Sequence, residues 1–259
     1  MTSGEPPEFT ADTAPRDALR AALGWLAEVV PDVRAVLSQS ALRRSRGPMS
    51  VRVRLQSSTW SRRGTGTWVS LYVSVWDRAF GTWRATHRDL TWCTGELIHG
   101  TGRIGPDLQL FGSEPGYRTL ADLPEVIETE WLPALDVFES PERAAREFDP
   151  GSTGAFSCME WLVFRGDVGS ARLLLERYLE AHPLARDRID AGRAAGPPPA
   201  GTPIRDELTE RWAPALETLG ILAPGEPLPG VPPEVLPEPE DAAAELGRLL
   251  GGLGRVTPL

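Results

Sequence analysis

Gly100, Gly102 and Gly105, in "HGTGRIG", stand in the Gly-x-Gly-x-x-Gly spacing whose backbone amides can cradle the phosphates of a dinucleotide. That chemistry requires a strand before the glycines and a helix after them, so that N–H groups and the helix N-terminus point at the pyrophosphate. The next residues, "PDLQLFGSEPGY", alternate in polarity and contain further proline and glycine, a pattern that suits a strand. The glycines therefore read as a hairpin loop between two strands. The chain contains no lysine, all 27 of its basic residues being arginine, which excludes a Walker-type phosphate lysine, a Schiff base and a Ser/Lys dyad.

His87, Cys93, His99 and Cys158 match no standard ligand spacing, so no metal site is expected. Cys93 and His99, six residues apart on one strand, lie roughly 20 Å apart and do not form a nucleophile pair. Two distant cysteines form neither a disulfide framework nor a metal motif and read as thiols in a reducing compartment. Asp89 and Glu96 are the carboxylates nearest the strands, and each reads as a surface partner for local arginines. The expectation is no catalytic residue, no metal and no cofactor.

Two runs offer binding chemistry instead. In "VRVRLQSS", Val51, Val53 and Leu55 alternate with Arg52, Arg54 and Gln56; in "TWVSLYVSVW", Val69, Leu71, Val73 and Val75 alternate with Trp68, Ser70, Tyr72, Ser74 and Trp76. Period-2 alternation on both sides of a turn-rich "SRRGTG" predicts an antiparallel hairpin with one aliphatic face. Its second face would carry Arg52, Arg54, Gln56, Trp68, Tyr72 and Trp76. Arg, Trp and Tyr are enriched at binding hot spots, and such faces also stack single-stranded nucleic acid. The alternative is that helices cover this face and make its aromatics core.

The elements that must position this face can be read in outline. Residues 1–14 are polar and aperiodic and read as a disordered leader. "RDALRAALGWLAEVV" is an amphipathic helix ended by Pro31, and "DVRAVLSQSALRR" reads as a second short helix. "TWRATHR", "LTWCTGELIH" and "DLQLFG" read as further strands, completing a four- to five-stranded, mostly antiparallel sheet. Helix resumes in residues 121–148, and "STGAFSCMEWLVFRGDVGSARLLLERYLEAHP" reads as two helices joined at Gly166-Asp167. This predicts an α+β domain over 15–190, a Pro/Gly linker and helix over 191–222, and an acidic flexible tail with a weak terminal helix over 223–259.

A net charge of -9 conceals a segregation: residues 41–120 carry 12 Arg against 5 acids, whereas residues 121–259 carry 12 Arg against 25 acids. The basic middle can meet an external anionic partner or be balanced by the acidic half of its own chain. The acidic, proline-containing start and the lack of a long apolar run lead to the expectation of a cytoplasmic protein without membrane segments.

The order "VRVRLQSSTWS", "WVSLYVSV", "LTWCTGELIHGTGRIG", helix, Gly-Asp helical hairpin resembles the bacterial domain of unknown function 4304 family over roughly residues 16–185. Leu55-Gln56-Ser57, Cys93 and Arg103-Ile104-Gly105 carry the likeness, and the proline-rich tail has no counterpart. The resemblance implies a stand-alone bacterial cytoplasmic α+β protein without known catalytic residues, in which Arg-Ile-Gly is a hairpin turn. These readings lead to a non-enzymatic protein-binding module, with an immunity-type protein that neutralises a partner as one version. The alternatives are a nucleic-acid-binding protein using the basic face, or an enzyme of unrecognised class.

Overall fold

The computed structural model describes residues 4–10, 12–59, 61–62, 66–87, 97–100, 108–111, 116–152, 154–199 and 202–230. Residues to Leu228 form one unit; residues from Pro229 onward form a second, of which Pro229 and Gly230 are described. The expected acidic tail thus lies largely outside the described residues.

Helix α1 (Pro15–Val29) buries Leu19, Leu23 and Leu26 on one stripe and ends where Val30 turns extended ahead of Pro31. Residues 4–10 have no regular structure, yet Phe9 packs on the core and Trp25 Nε1 donates to the Gly4 carbonyl at 2.9 Å. The second expected helix is instead two strands, β1 (Arg34–Val36) and β2 (Ala41–Arg46), joined by one 3-10 turn. Arg, Ala and Leu are good helix formers, but Ser40 takes a left-handed conformation at φ 49°, reversing the chain. Pairing with the next strand then outweighs local propensity.

That next strand, β3 (Met49–Ser57), pairs with β4 (Thr67–Asp77) over nine positions, from Met49 opposite Asp77 to Ser57 opposite Val69. The hairpin read from the sequence is therefore present with its expected register of faces. "TWRATHR" is not a strand: it lies in and just beyond α2 (Arg78–Thr86), whose first turn is capped by Asp77 accepting from the amides of Ala79 and Phe80. Strands β5 (Leu97–Gly100) and β6 (Leu108–Phe111) complete an antiparallel sheet of six strands among the described residues.

The sheet rests on helices by its aliphatic face. Helix α1 contacts β1, β2 and β3, and the segments α3 (Leu123–Val126) and α4 (Ala134–Val137) contact α1 and β3 respectively. Val51, Val53, Leu55, Val69, Leu71, Val73 and Val75 are all fully or nearly fully buried there, each worth roughly 1.5–3 kcal/mol of burial. α5 (Pro141–Glu147), α6 (Ala155–Phe164) and α7 (Val168–Ala181) continue the core, with Asp167 capping α7 through the Ser170 amide. The Gly166-Asp167 joint is therefore where the sequence places it. α8 (Ala185–Ala195), which runs into the expected linker, was not legible as a helix because its polar faces outnumber its apolar ones.

One local device occurs twice. Ile127–Trp131 and Leu208–Trp212 are single π-helical turns, each followed after one residue by proline, in "IETEWLPALD" and "LTERWAPALE". Pro133 and Pro214 have no N–H to donate, so the residue before each proline bonds five residues back instead, Leu132 to Ile127 and Ala213 to Leu208. The second turn leads into α9 (Ala213–Thr218) and packs against α8 so closely that a Cβ on Gly192 would lie 2.1 Å from the Thr209 carbonyl oxygen.

Candidate functional site

Alternation decides which side chains the hairpin offers to solvent. Along β4 buried residues alternate strictly with half-buried ones, so Trp68, Ser70, Tyr72, Ser74 and Trp76 share the face opposite the core. Along β3, Arg52 is half-buried while Arg54 and Gln56 are exposed. Directly opposite pairs tie the strands together: Arg52 with Ser74, Arg54 with Tyr72, Gln56 with Ser70, and buried Ser50 with Trp76. All six residues singled out from the sequence thus lie on one sheet face, none of them fully buried, although Ala41, Ser50 and Gln109 on that same face are.

Two of the aromatics are fixed in place. The Arg52 guanidinium sits 4.2 Å from the centroid of the Trp76 ring, and Trp76 Nε1 donates to Ser74 Oγ at 2.6 Å. Trp68 is clasped at its backbone, its amide donating to Ser61 Oγ at 3.0 Å and its carbonyl accepting from the same hydroxyl at 2.9 Å. Its ring lies over Gly66, where an added Cβ would meet ring carbon at 2.8 Å. The pairing of β4 shifts register at both tryptophans, between Val75 and Trp76 against β5 and between Thr67 and Trp68 against β6. Bulges of this kind re-aim side chains and favour functional edges.

Strands β1 and β2 enlarge the face beyond what the sequence suggested. Arg34 pairs with Arg43 and Arg43 with Arg52, so three arginines stand side by side across three strands. Paired residues share a face and lie about 4.5–5.5 Å apart at Cα. Arg34 and Arg43 were missed because the segment holding them reads as helix; alternation in a three-residue strand is too short to show. Arg44, on the core side by register, is half-buried and donates through its NH2 group to the Pro31 carbonyl at 2.6 Å.

The glycine motif is placed by its flanks. β5 and β6 do not form the expected hairpin: both run antiparallel to β4 along the same edge, Gly100 opposite Ser74 and Leu108 opposite Val69. From Gly100 to Leu108 the chain takes eight steps to pass five steps of β4. Residues 101–107 themselves lie outside the described residues, but the element after them is the strand β6 and not the helix that a phosphate site needs.

The remaining chemical candidates are occupied or buried. His87 stacks on Trp83 at 4.6 Å with its Nδ1 2.8 Å from the Trp83 carbonyl oxygen. Burial pushes the Cys158 thiol far up, against attack at neutral pH. Asp89, Cys93, Glu96 and the side chain of His99 lie outside the described residues. Beneath the sheet, Arg84 Nε donates to Glu160 Oε2 at 3.0 Å, its NH2 group reaches Ser157 Oγ at 2.6 Å, and its guanidinium covers the Phe80 ring. Asp77 accepts from Trp161 Nε1 at 3.0 Å. These buried groups join α2 to α6. A cleft beside them, lined by Phe156, Met159, Glu160, Trp212 and Leu216, holds at most about 230 Å3 of empty space, below the roughly 300–1,000 Å3 of small-molecule sites. Among the described residues no group of three or more His, Cys, Asp or Glu is arranged to hold a metal ion, and no helix is long and apolar enough to cross a membrane.

No family model, no curated protein and no solved structure matches this chain.

Proposed function

We propose that the chain is a non-enzymatic protein-binding module whose partner docks on the outer face of the sheet, with Arg52, Arg54, Gln56, Trp68, Tyr72 and Trp76 as contact residues. The observation that carries this reading is the one-sided burial of the hairpin: its aliphatic face is core, while large aromatic and arginine side chains remain half-buried or exposed on the other. A protein that neutralises another by covering it, as immunity proteins do, is a concrete form of this function. The likeness to the domain of unknown function 4304 family, in a bacterial cytoplasm, belongs to the same proposal.

The spacing of the aromatics favours protein over nucleic acid. Trp68, Tyr72 and Trp76 recur every four residues on one strand, roughly 13 Å apart, too far for neighbouring bases to stack on neighbouring rings. The test is capture of partners from native lysate by the tagged full chain, in parallel with nuclease and with Arg54→Ala and Tyr72→Ala variants shown to be folded by circular dichroism. A stoichiometric protein that survives nuclease and is lost with either variant supports the reading. Recovery of nuclease-sensitive material alone, or unchanged capture by both variants, overturns it.

A further inference from the structure

We infer that residues 221–228 form a strap that opens ahead of the core and is held shut by arginine charge, so that ionic strength sets how often it opens; this is independent of the docking reading above. The strap follows α9 and contains neither helix nor strand. Ala223, Pro224, Gly225 and Pro227 are exposed, while Ile221, Leu222 and Leu228 are its buried anchors. Gly220 and Gly225 take positive φ, at 71° and 72°, and supply its two bends. The Ile221 and Leu222 amides donate to the Leu216 carbonyl at 2.9 and 3.2 Å. Among the described residues, however, no backbone-to-backbone hydrogen bond joins residues 223–228 to another element.

Arginines from two helices supply those ties instead. Arg172 of α7 pairs with the Glu226 carboxylate. Arg193 of α8 donates to the Glu226 carbonyl at 2.6 Å and to Glu217 Oε1 of α9 at 2.6 Å, with Asp190 at 3.5 Å on its other side. Arg186 donates to the Leu228 carbonyl at 3.3 Å. Glu217 and Glu226 in turn accept from the Gly225 and Ala223 amides, so the same charges shape the strap itself. Burial of three apolar side chains falls short of the entropy lost in fixing eight residues, and the arginine bonds therefore decide whether the strap is shut. The carboxylates they reach are partly exposed, the Glu217 and Glu226 side chains at 30% and 27%, where salt screens them. Beneath the strap, Ile221 lines the cleft whose other walls include Phe156, Met159 and Trp212. Unfilled space there forfeits packing that would otherwise hold Ile221 down. Opening thus uncovers an apolar wall while the sealed Arg84–Glu160 pair keeps the core closed.

The test is native-state hydrogen exchange of the full chain, read at single amides, at about 50 mM and about 500 mM sodium chloride. The Ile221, Leu222 and Gly225 amides are expected to exchange faster than those of α6, and to speed up about fivefold at the higher salt while the α6 amides do not. Arg193→Gln is expected to raise the strap rates about tenfold at low salt and to remove most of their salt dependence. Glu226→Gln keeps an oxygen for the Ala223 amide but loses the charge facing Arg172. It is the second variant should Arg193→Gln fail to fold, with an expected rise of about threefold. Arg143→Gln, which removes exposed ion pairs on α5, is the control and should leave the strap rates unchanged. Strap amides that exchange no faster than those of α6, or strap rates indifferent to salt and to the folded variants, overturn the inference. Salt acceleration shared equally by α6 overturns it too, since the core would then be opening as a whole.

Discussion

On the two faces of the β3–β4 hairpin, residues one position apart in the chain do different physical work. Leu71 is fully buried among the core strands and helices, whereas Tyr72, its neighbour, is half-buried on the opposite face. The same contrast divides the arginines. Arg84 is sealed beneath the sheet with Glu160 and Ser157, while Arg54 is exposed above it. The fully buried apolar side chains of the hairpin are concentrated on one side of a surface about one residue thick.

The buried arginine gives the most severe way to break this contrast. Glu160→Ala leaves Arg84 buried without its carboxylate and is expected to cost roughly 3–5 kcal/mol in urea unfolding, whereas replacing both, as Arg84→Met/Glu160→Leu, is expected to be far milder. Equal losses in the two variants would show that packing around the pair, and not its charge, holds α2 to α6. Leu71→Ala is next, at about 2–5 kcal/mol, against less than about 1 kcal/mol for Tyr72→Ala. If Tyr72→Ala unfolds the chain as readily, the outer face is a second core and the docking proposal loses its basis.

Away from the sheet, Gly192→Ala drives a methyl group into the backbone at Thr209 and the Ala213 side chain, and roughly 1–3 kcal/mol of destabilisation is expected in thermal melts. A smaller effect is acid-dependent. Asp206 accepts from the Leu208 amide, and its further bonds from Arg188, the Thr209 hydroxyl and the Thr209 amide hold its pKa down to about 2. Its contribution is therefore present above the ordinary carboxylate value near 3.8 and is lost as pH falls from there toward about 2. The melting-temperature gap between wild type and Asp206→Asn should narrow over that interval and stay constant from pH 5 to 7; a gap unchanged by acid would mean that the carboxylate's charge does not matter there. Least of all, Arg54→Gln is expected to shift stability by under about 0.5 kcal/mol while altering partner affinity.

How far the sequence reveals this molecule depends on how much of each signal is local. The hairpin was legible because nine paired positions repeat one alternation, and α1 because its apolar stripe ends at a proline. β1 and β2 were not, since Arg, Ala and Leu favour helix locally and only pairing with β3 makes them strands. Arg52, Arg54, Gln56, Trp68, Tyr72 and Trp76 could be assigned to one face by parity alone. The arginine row could not, because cross-strand neighbours such as Arg34 and Arg43 are set by a reversal at Ser40 that no periodicity announces. Similarly, Gly100–Gly105 looks like a hairpin turn until its flanking strands are found on one edge of β4. The two Trp-x-Pro π turns show the opposite case: proline, a local signal, marks both, although the five-residue bond it induces is visible only in the fold.

The brevity of β1 bears on how the protein behaves in crowded solution. A terminal strand with free amides and carbonyls is a template on which another chain can add itself, and such growth is a common start of aggregation. Here that border is three residues long, begins with an exposed arginine and ends in a 3-10 turn. It offers an incoming strand too few consecutive hydrogen bonds to hold, and a charge that repels a second copy of itself. The β1 border is therefore a poor template for a second copy of the chain to join the sheet side by side.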